Sequence, residues 1–420
     1  MPQAAYTTQT HEEVLPGDAV AGAEKQPDRL LSLDALRGFD MFWIISGEGI
    51  FHSIAAVIKQ KYSLQQNTVD WQIGPTKDLP FVERLFVTIS NQLHHSPWNG
   101  FTFYDLIFPL FIFIAGVSMP FSYGKKLSAE ATGNKRVRRN IYRSLIKRTL
   151  LLIFFGAVVN GLFKWQGYDQ TRIASVLGRI GLACFFAALI YLNASRRAQI
   201  VWAAGLLLGY WAAMMWLPVP GFGAGVLTPE GNLAAYVDRI LLPGKLHRTV
   251  YDPEGLLSTV PSVVTALLGV FTGEFLKNKT TPFGAAQKGF LLSAAGIVLL
   301  GLGLLWNLAF PINKTMWTSS FVLYAGGWSL LLFALFYWVI DVAGYKTWSK
   351  PFVWIGANSI LIYLMAHGGV DFYYTANFLF AGAIKYAMPL WQAVWLAMAV
   401  AAVQIAMLWV MFKKKLFLKL

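Results

Sequence analysis

The chain has 420 residues, 56% hydrophobic and 13% charged, where an ordinary soluble domain carries roughly 25% charged residues. Its net charge of +14 does not mark a nucleic-acid-binding protein, because the basic residues flank long apolar blocks instead of sharing a soluble face. The single cysteine, Cys184, falls inside such a block, which excludes a disulfide framework and a cysteine-based metal site.

Residues 1–30 have no apolar core and contain Glu and Asp, so they read as a disordered cytoplasmic tail and not as a signal peptide. Beyond them, apolar blocks of about 20 residues match a ~30 Å hydrocarbon core. They predict ten spans, at 34–58, 101–122, 147–164, 173–192, 199–217, 258–276, 289–310, 319–341, 352–367 and 388–412, with a further half-helix near 376–384. The expected fold is therefore an all-α, polytopic membrane bundle of about ten transmembrane helices over residues 31–420. With both termini in the cytoplasm, 23 lysines and arginines lie on that side, 11 on the other, and Arg179 lies within a span. The densest cluster, NKRVRRNIYRSLIKR at 134–148, is then cytoplasmic, in keeping with the positive-inside rule. No internal repeat is evident, which weakens a transporter reading.

The first span, SLDALRGFDMFWIISGEGIFHS, carries Asp34, Arg37, Asp40, Glu48 and His52. Each such charge costs roughly 2.5–3.5 kcal/mol to insert and calls for a reason. On a straight helix Asp34, Arg37, Glu48 and His52 fall within about 60° of one another, with Asp40 at the edge of their stripe. The stripe would line a polar path across the membrane. The plainer alternative makes Asp34 and Arg37 a structural pair at one end and lets Glu48 and His52 reach the other interface.

The second span opens with LHHSPWNGFTFYD, Leu93 to Asp105. His94, His95, Trp98 and Asn99 fall in the headgroup zone, where interfacial anchors are common, and Asp105 sits one turn inside, where a carboxylate suits a helix N-terminus. On chemistry alone either histidine serves as a base or as an anchor. Adjacent histidines do not give the i, i+4 spacing of helix-borne metal ligands, so no metal is implied. Further on, Asp252 and Glu254 alternate with Pro253 and Gly255 in a turn leading into the sixth span.

Several of these blocks resemble one family. HSPWNGFTFYDLIFPLFIFIAG at 95–116 is similar to the signature of the heparan-alpha-glucosaminide N-acetyltransferase family and its bacterial members. RLLSLDALRGFDMFW at 29–43, RIASVLGRIGLACFF at 172–186, DPEGLLSTVPSVVTALLGVFTG at 252–273, PINKTMWTSSFVLYAGGWS at 311–329 and ANSILIYLMAH at 357–367 resemble it in the same order.

The resemblance implies transfer of the acetyl group of cytoplasmic acetyl-CoA, as co-substrate, to the amine of a glucosamine-type amino sugar across the membrane. It makes His95, not His94, the active-site histidine, and includes Asp105 and the Asp252–Gly255 turn. It departs at Glu48, where the family has a polar Asn, and at His367, displaced by one residue relative to Asn358. It also implies a homodimer in a bacterial inner membrane.

The roles expected on this reading are these. His95 is the general base or acetyl carrier. Asp105 orients its ring, and Asn99 donates to the oxyanion. Arg37, with Asp34 and Asp40, serves the CoA side beside the basic 135–148 loop. Glu48, Trp98, Asp252, Glu254, Asn358 and His367 face the acceptor. Two competitors stand beside this reading: a proton-coupled transporter for an amino sugar or related solute, and a non-catalytic membrane partner that keeps the family fold.

Overall fold

The backbone donors and acceptors of a lipid-embedded chain must be satisfied within the segment itself, and helices do this. The computed structural model describes residues 30–67, 71–130 and 135–418; the expected tail, residues 1–30, lies outside them but for its last residue. From Leu31 onward the chain is a multi-pass, all-α membrane bundle, and the sheet among the described residues is a two-residue pair, β1 (Gln65–Gln66) with β2 (Ile73–Gly74). Its helices are α1 (Leu31–Phe42), α2 (Glu48–Lys61), α3 (Phe81–Gln92), α4 (Phe103–Glu130), α5 (Lys135–Val159), α6 (Val176–Asn193), α7 (Arg196–Trp216) and α8 (Leu233–Leu241). They continue as α9 (Thr259–Lys277), α10 (Ala285–Asn307), α11 (Ser319–Phe336), α12 (Lys350–Ala357), α13 (Ser359–Leu364), α14 (Phe372–Ile384) and α15 (Gln392–Lys413).

Among the described residues, eight helices are long and apolar enough to cross a bilayer, and α12 with α13 makes a ninth that is bent by 65°. The expected span at 147–164 falls on the second half of α5, whose first half carries the basic run. The half-helix expected near 376–384 is the end of α14.

The tightest packing uses small residues, as in other membrane bundles. A Cβ on Gly269 of α9 would lie 2.0 Å from the Phe113 carbonyl oxygen of α4, and one on Gly116 would lie 2.1 Å from Ala266 O. Gly356 of α12 meets Asp34 O of α1 at 2.2 Å in the same way. These contacts fix the depth of α4 and α1 relative to their neighbours.

One expectation changes. Between α1 and α2 the first span contains a π-turn, Trp43–Gly47. Such a turn adds one residue, which rotates everything after it by about 100°. Glu48 and His52 therefore turn away from Asp34, and both fall on the face of Asp40. The straight-helix stripe from Asp34 is replaced by a shorter polar face that runs from Asp40 through Glu48 to His52.

Gly269→Leu should separate α4 from α9 and destabilise the bundle by about 1–3 kcal/mol. Gly205→Leu, with nothing within 4 Å of a new Cβ, should be near neutral. Thermal unfolding of the two variants in detergent checks this.

Candidate active site

The site grows from the start of α4. Thr102 precedes the helix and Asp105 stands three residues later, which is a capping-box spacing with Asp in the reciprocal position. Asp105 is fully buried and divides its two oxygens. Oδ2 accepts from the Thr102 N–H and hydroxyl, both at 3.2 Å, from the Ser96 N–H at 3.2 Å and from the Ser96 hydroxyl at 2.8 Å. Oδ1 is left for His95, whose Nδ1 lies 2.8 Å away. The cap and the histidine partner are thus the same carboxylate.

An ionised Asp105 can only accept, so the hydrogen bond places the proton of neutral His95 on Nδ1 and leaves a lone pair on Nε2. The imidazole has 52% of its surface exposed, yet it lies low in a crevice between the 93–102 and 311–318 loops. Burial there lowers its pKa, the Lys314 ammonium lowers it further, and the hydrogen bond and charge of Asp105 and the charge of Glu254 oppose them; the net direction is down.

Two residues that the motif reading passed over complete the surroundings. Lys314 Nζ lies 3.0 Å from His95 Nδ1, 3.2 Å from Nε2 and 3.6 Å from Asp105 Oδ1. The ring of Tyr104 tilts against His95 at 4.8 Å between centroids, and its hydroxyl bonds the Glu48 carboxyl. Lys314 belongs to the Pro311–Ser329 block, but nothing local in that block marks it. Its partner lies 219 residues away.

Asn99 accepts at Oδ1 from Asn313 Nδ2 at 3.1 Å, beside Lys314, so its own amide N–H groups stay directed elsewhere. Trp98 is pinned: its indole N–H donates to Leu227 O at 2.9 Å and its ring meets Tyr251 edge-on. The Asp252 turn is held by Arg172, whose Nε and Nη2 donate to the two Asp252 oxygens at 2.8 and 2.5 Å and which also pairs with Glu254. Burial raises the Asp252 pKa, but Arg172 and the N–H groups of Glu254 and His247 outweigh it, so the carboxyl is held low. Beneath, Arg179 donates to Gly255 O at 3.1 Å and to Ser258, with its guanidinium 5.0 Å from the Trp317 ring. A Cβ on Gly255 would strike Asp238 Oδ2 at 1.8 Å, so a side chain here would have to displace that carboxylate. Burial pushes that Asp238 carboxyl up to about 6.

Other expected residues lie apart. Arg37 donates to Ser118 Oγ at 2.9 Å and approaches Asp34 at 3.6 Å; along α4, Ser118 is about 20 Å from Asp105. Asp40 is buried between the two levels. His94 stacks on His52 at 4.2 Å, away from the Asp105 pair. Asn358, at the bend, donates to Leu416 O at 2.9 Å and accepts from the Leu418 N–H at 3.1 Å, tying down the C-terminal segment. His367 lies in another π-turn, Met365–Gly369, stacked on Tyr363. Because of the bend and that turn, straight-helix geometry relating it to Asn358 does not apply. Among the described residues no group of three His, Cys, Asp or Glu is placed to hold a metal ion.

Comparison with known proteins places the chain in a family. The family description "Heparan-alpha-glucosaminide N-acetyltransferase, catalytic" matches residues 81–305, which include the His95 loop, α4 and the Asp252 turn. The heparan-alpha-glucosaminide N-acetyltransferase of Mus musculus is 30% identical over 380 residues, 78% of this chain and 56% of its own length. That of Homo sapiens is 29% identical over 382 residues, 78% of this chain and 55% of its own. The chain thus spans little more than half the length of these relatives.

His95 should titrate below the ordinary imidazole value of 6.5, as read by NMR of histidine-labelled protein. Asp105→Asn, which removes the group that favours the imidazolium, should lower it further. A midpoint at or above 6.5, or a rise in the variant, would contradict this geometry.

Proposed function

The chain belongs to the heparan-alpha-glucosaminide N-acetyltransferase family, and from that premise we propose that it carries acetyl groups from cytoplasmic acetyl-CoA to a glucosamine-type amine across a bacterial inner membrane. The observation that carries the reading is the His95–Asp105 hydrogen bond of 2.8 Å, which aims a basic Nε2 into an open crevice at the end of the bundle opposite its basic loops. In the same proposal the protein works as a homodimer, as the resemblance implies.

An amine that attacks a thioester must lose a proton, and a histidine held neutral can take it. In the direct route His95 Nε2 is that base; in the two-step route it attacks first and carries the acetyl group. Asp105 serves both, because it fixes the tautomer and stabilises the imidazolium. Asn99 is within the same loop and has amide hydrogens to offer an oxyanion.

The acceptor side of the crevice is bounded by Glu254 and, through Tyr104, by Glu48. Carboxylates there suit the hydroxyls and amine of an amino sugar. Asp252 acts on the acceptor by holding Arg172 and Glu254 in place, and Trp98 by bracing the His95 loop. His367 approaches through Tyr363, whereas Asn358 acts at a distance by fixing the C-terminal segment.

On the donor side, Arg37 with Asp34, and Asp40 above them, line the level nearest the basic loops. A guanidinium is suited to CoA phosphates. The length of α4 from there to Asp105, about 20 Å, is comparable to an extended pantetheine arm.

Oriented vesicles with labelled acetyl-CoA on the face of the basic loops and glucosamine-terminated acceptors on the other test the proposal. Label should reach the acceptor with wild type and fall by at least about 10²-fold with His95→Ala. Label kept on the wild-type protein without acceptor would select the two-step route. Passage of unmodified sugar with no release of CoA would replace the enzyme with the transporter.

A further inference from the structure

Lys314 is delivered to His95 by a loop held more rigidly than a simple connection between α10 and α11 requires. Fully buried Asn313 is braced on both sides: its Oδ1 accepts from the Met316 N–H at 2.8 Å, and its own N–H donates to Thr318 Oγ1 at 3.1 Å. The Ile312 N–H donates to Asn307 at 2.7 Å, and Ile312 O accepts from the Gly100 N–H at 2.9 Å, which locks this loop to the His95 loop. Trp317 has φ +52°, in the left-handed region that a bulky side chain avoids. It is held there by burial and by a hydrogen bond to Thr265 at 3.2 Å. Such a conformation costs about 1–3 kcal/mol and persists where the surroundings over-determine it, as they do around working groups.

The ammonium at the end of this loop has three N–H donors. One is directed by Asp105 Oδ1 at 3.6 Å. Nδ1 of His95 already donates to Asp105, so it offers Lys314 no lone pair despite the 3.0 Å approach. Nε2 lies 3.2 Å away. A point this near both ring nitrogens is off the in-plane axis of the Nε2 lone pair, so Nζ leaves that lone pair free while standing beside any carbonyl that approaches it. The Lys314 side chain is only 17% exposed, so its charge is weakly screened where it points.

We propose that Lys314 is a catalytic residue of acetyl transfer, donating from Nζ to the thioester carbonyl oxygen as negative charge develops on it beside His95 Nε2. This rests on the acetyltransferase reading above. In the direct route the amine lone pair forms the C–N bond while the carbonyl π pair moves to oxygen, where the Lys314 N–H holds it. His95 Nε2 takes the proton of the attacking nitrogen. The oxygen pair then re-forms the carbonyl, the C–S bond breaks, and the thiolate leaves with the proton carried by His95. The products are the amide and free CoA thiol, and Lys314 keeps its three protons throughout.

A cation in this position also acts on His95. Its imidazole is faced by Asp105 and Tyr104 from α4, by Lys314 from its loop and by Glu254 from the turn before α9. Of these, Lys314 opposes protonation, so removing its charge should raise the acid limb of the rate profile. That shift reads the charge of Lys314 beside His95, whereas a fall in kcat at unchanged KM reads its donation to the developing oxyanion.

Lys314→Met and Lys314→Arg, assayed for CoA release over a pH series beside the wild type, test the proposal. In Lys314→Met kcat should fall by about 10²–10³-fold, with both KM values within about threefold and the acid limb moved to higher pH. Lys314→Arg, which keeps a cation with N–H donors, should recover at least about tenfold of that loss. If Lys314→Met works within about threefold of wild type, or raises KM alone, the proposal is overturned and the acetyltransferase reading stands. A wild type that consumes no thioester defeats both. Should Lys314→Met fail to fold, Lys314→Gln, which keeps an N–H donor without the charge, takes its place: kcat should fall by at least about tenfold, and activity within about threefold of wild type overturns the proposal.

Discussion

Everything at the working end of this protein depends on one buried carboxylate. Asp105 closes the start of α4 with one oxygen and holds His95 with the other. The division explains how a costly charge is tolerated at the threshold of a membrane span: most of its hydrogen-bonding capacity is used by the loop it organises. Removing it would therefore loosen the loop and misdirect the histidine together. The structural and chemical roles weighed against each other for Asp105 are not alternatives.

Around that carboxylate the bundle arranges its polar groups at two levels. One is the crevice of His95, Lys314, Glu254 and, through Tyr104, Glu48. The other is the Asp34–Arg37 pair, about 20 Å along α4, where Arg37 meets Ser118. Asp40 lies between them. Two loops remote in sequence are pinned to the crevice, one by Asn313 and Trp317 and the other by Arg172 and Arg179. The glycine contacts of α4 with α9 bind the Asp105 helix to the helix that follows the Asp252 turn. Positions in the crevice are thereby set by packing and not by loop preference, which is what acyl transfer needs if reacting atoms are to meet at fixed distance.

Much of this was legible in the sequence because the signals are local. Apolar length predicts the spans, and the family resemblance of the 95–116 block already sets Asp105 beside His95. Less local features were hidden. The π-turn at Trp43–Gly47 leaves no mark in the periodicity, so the straight-helix stripe joined Asp34 to Glu48 when the structure turns Glu48 toward Asp40. Lys314 and Arg172 act through partners 219 and 80 residues away, and side-chain spacing along one helix carries no information about such pairs. Asn358 looked like a polar group waiting for a substrate, whereas its amide is engaged by the backbone of Leu416 and Leu418. The same distinction separates Trp98, an anchor by composition, from the brace that it forms with Leu227 and Tyr251.

In the proposed transfer the thioester of acetyl-CoA comes to His95 from the opposite end of the bundle. A cryo-EM structure with an uncleavable ketone analogue of acetyl-CoA is the first test. The nucleotide should lie at the Arg37 level and the ketone carbon within about 3–3.5 Å of His95 Nε2, its oxygen toward Lys314. An analogue bound with its ketone remote from His95, or with its nucleotide in the His95 crevice, would contradict it.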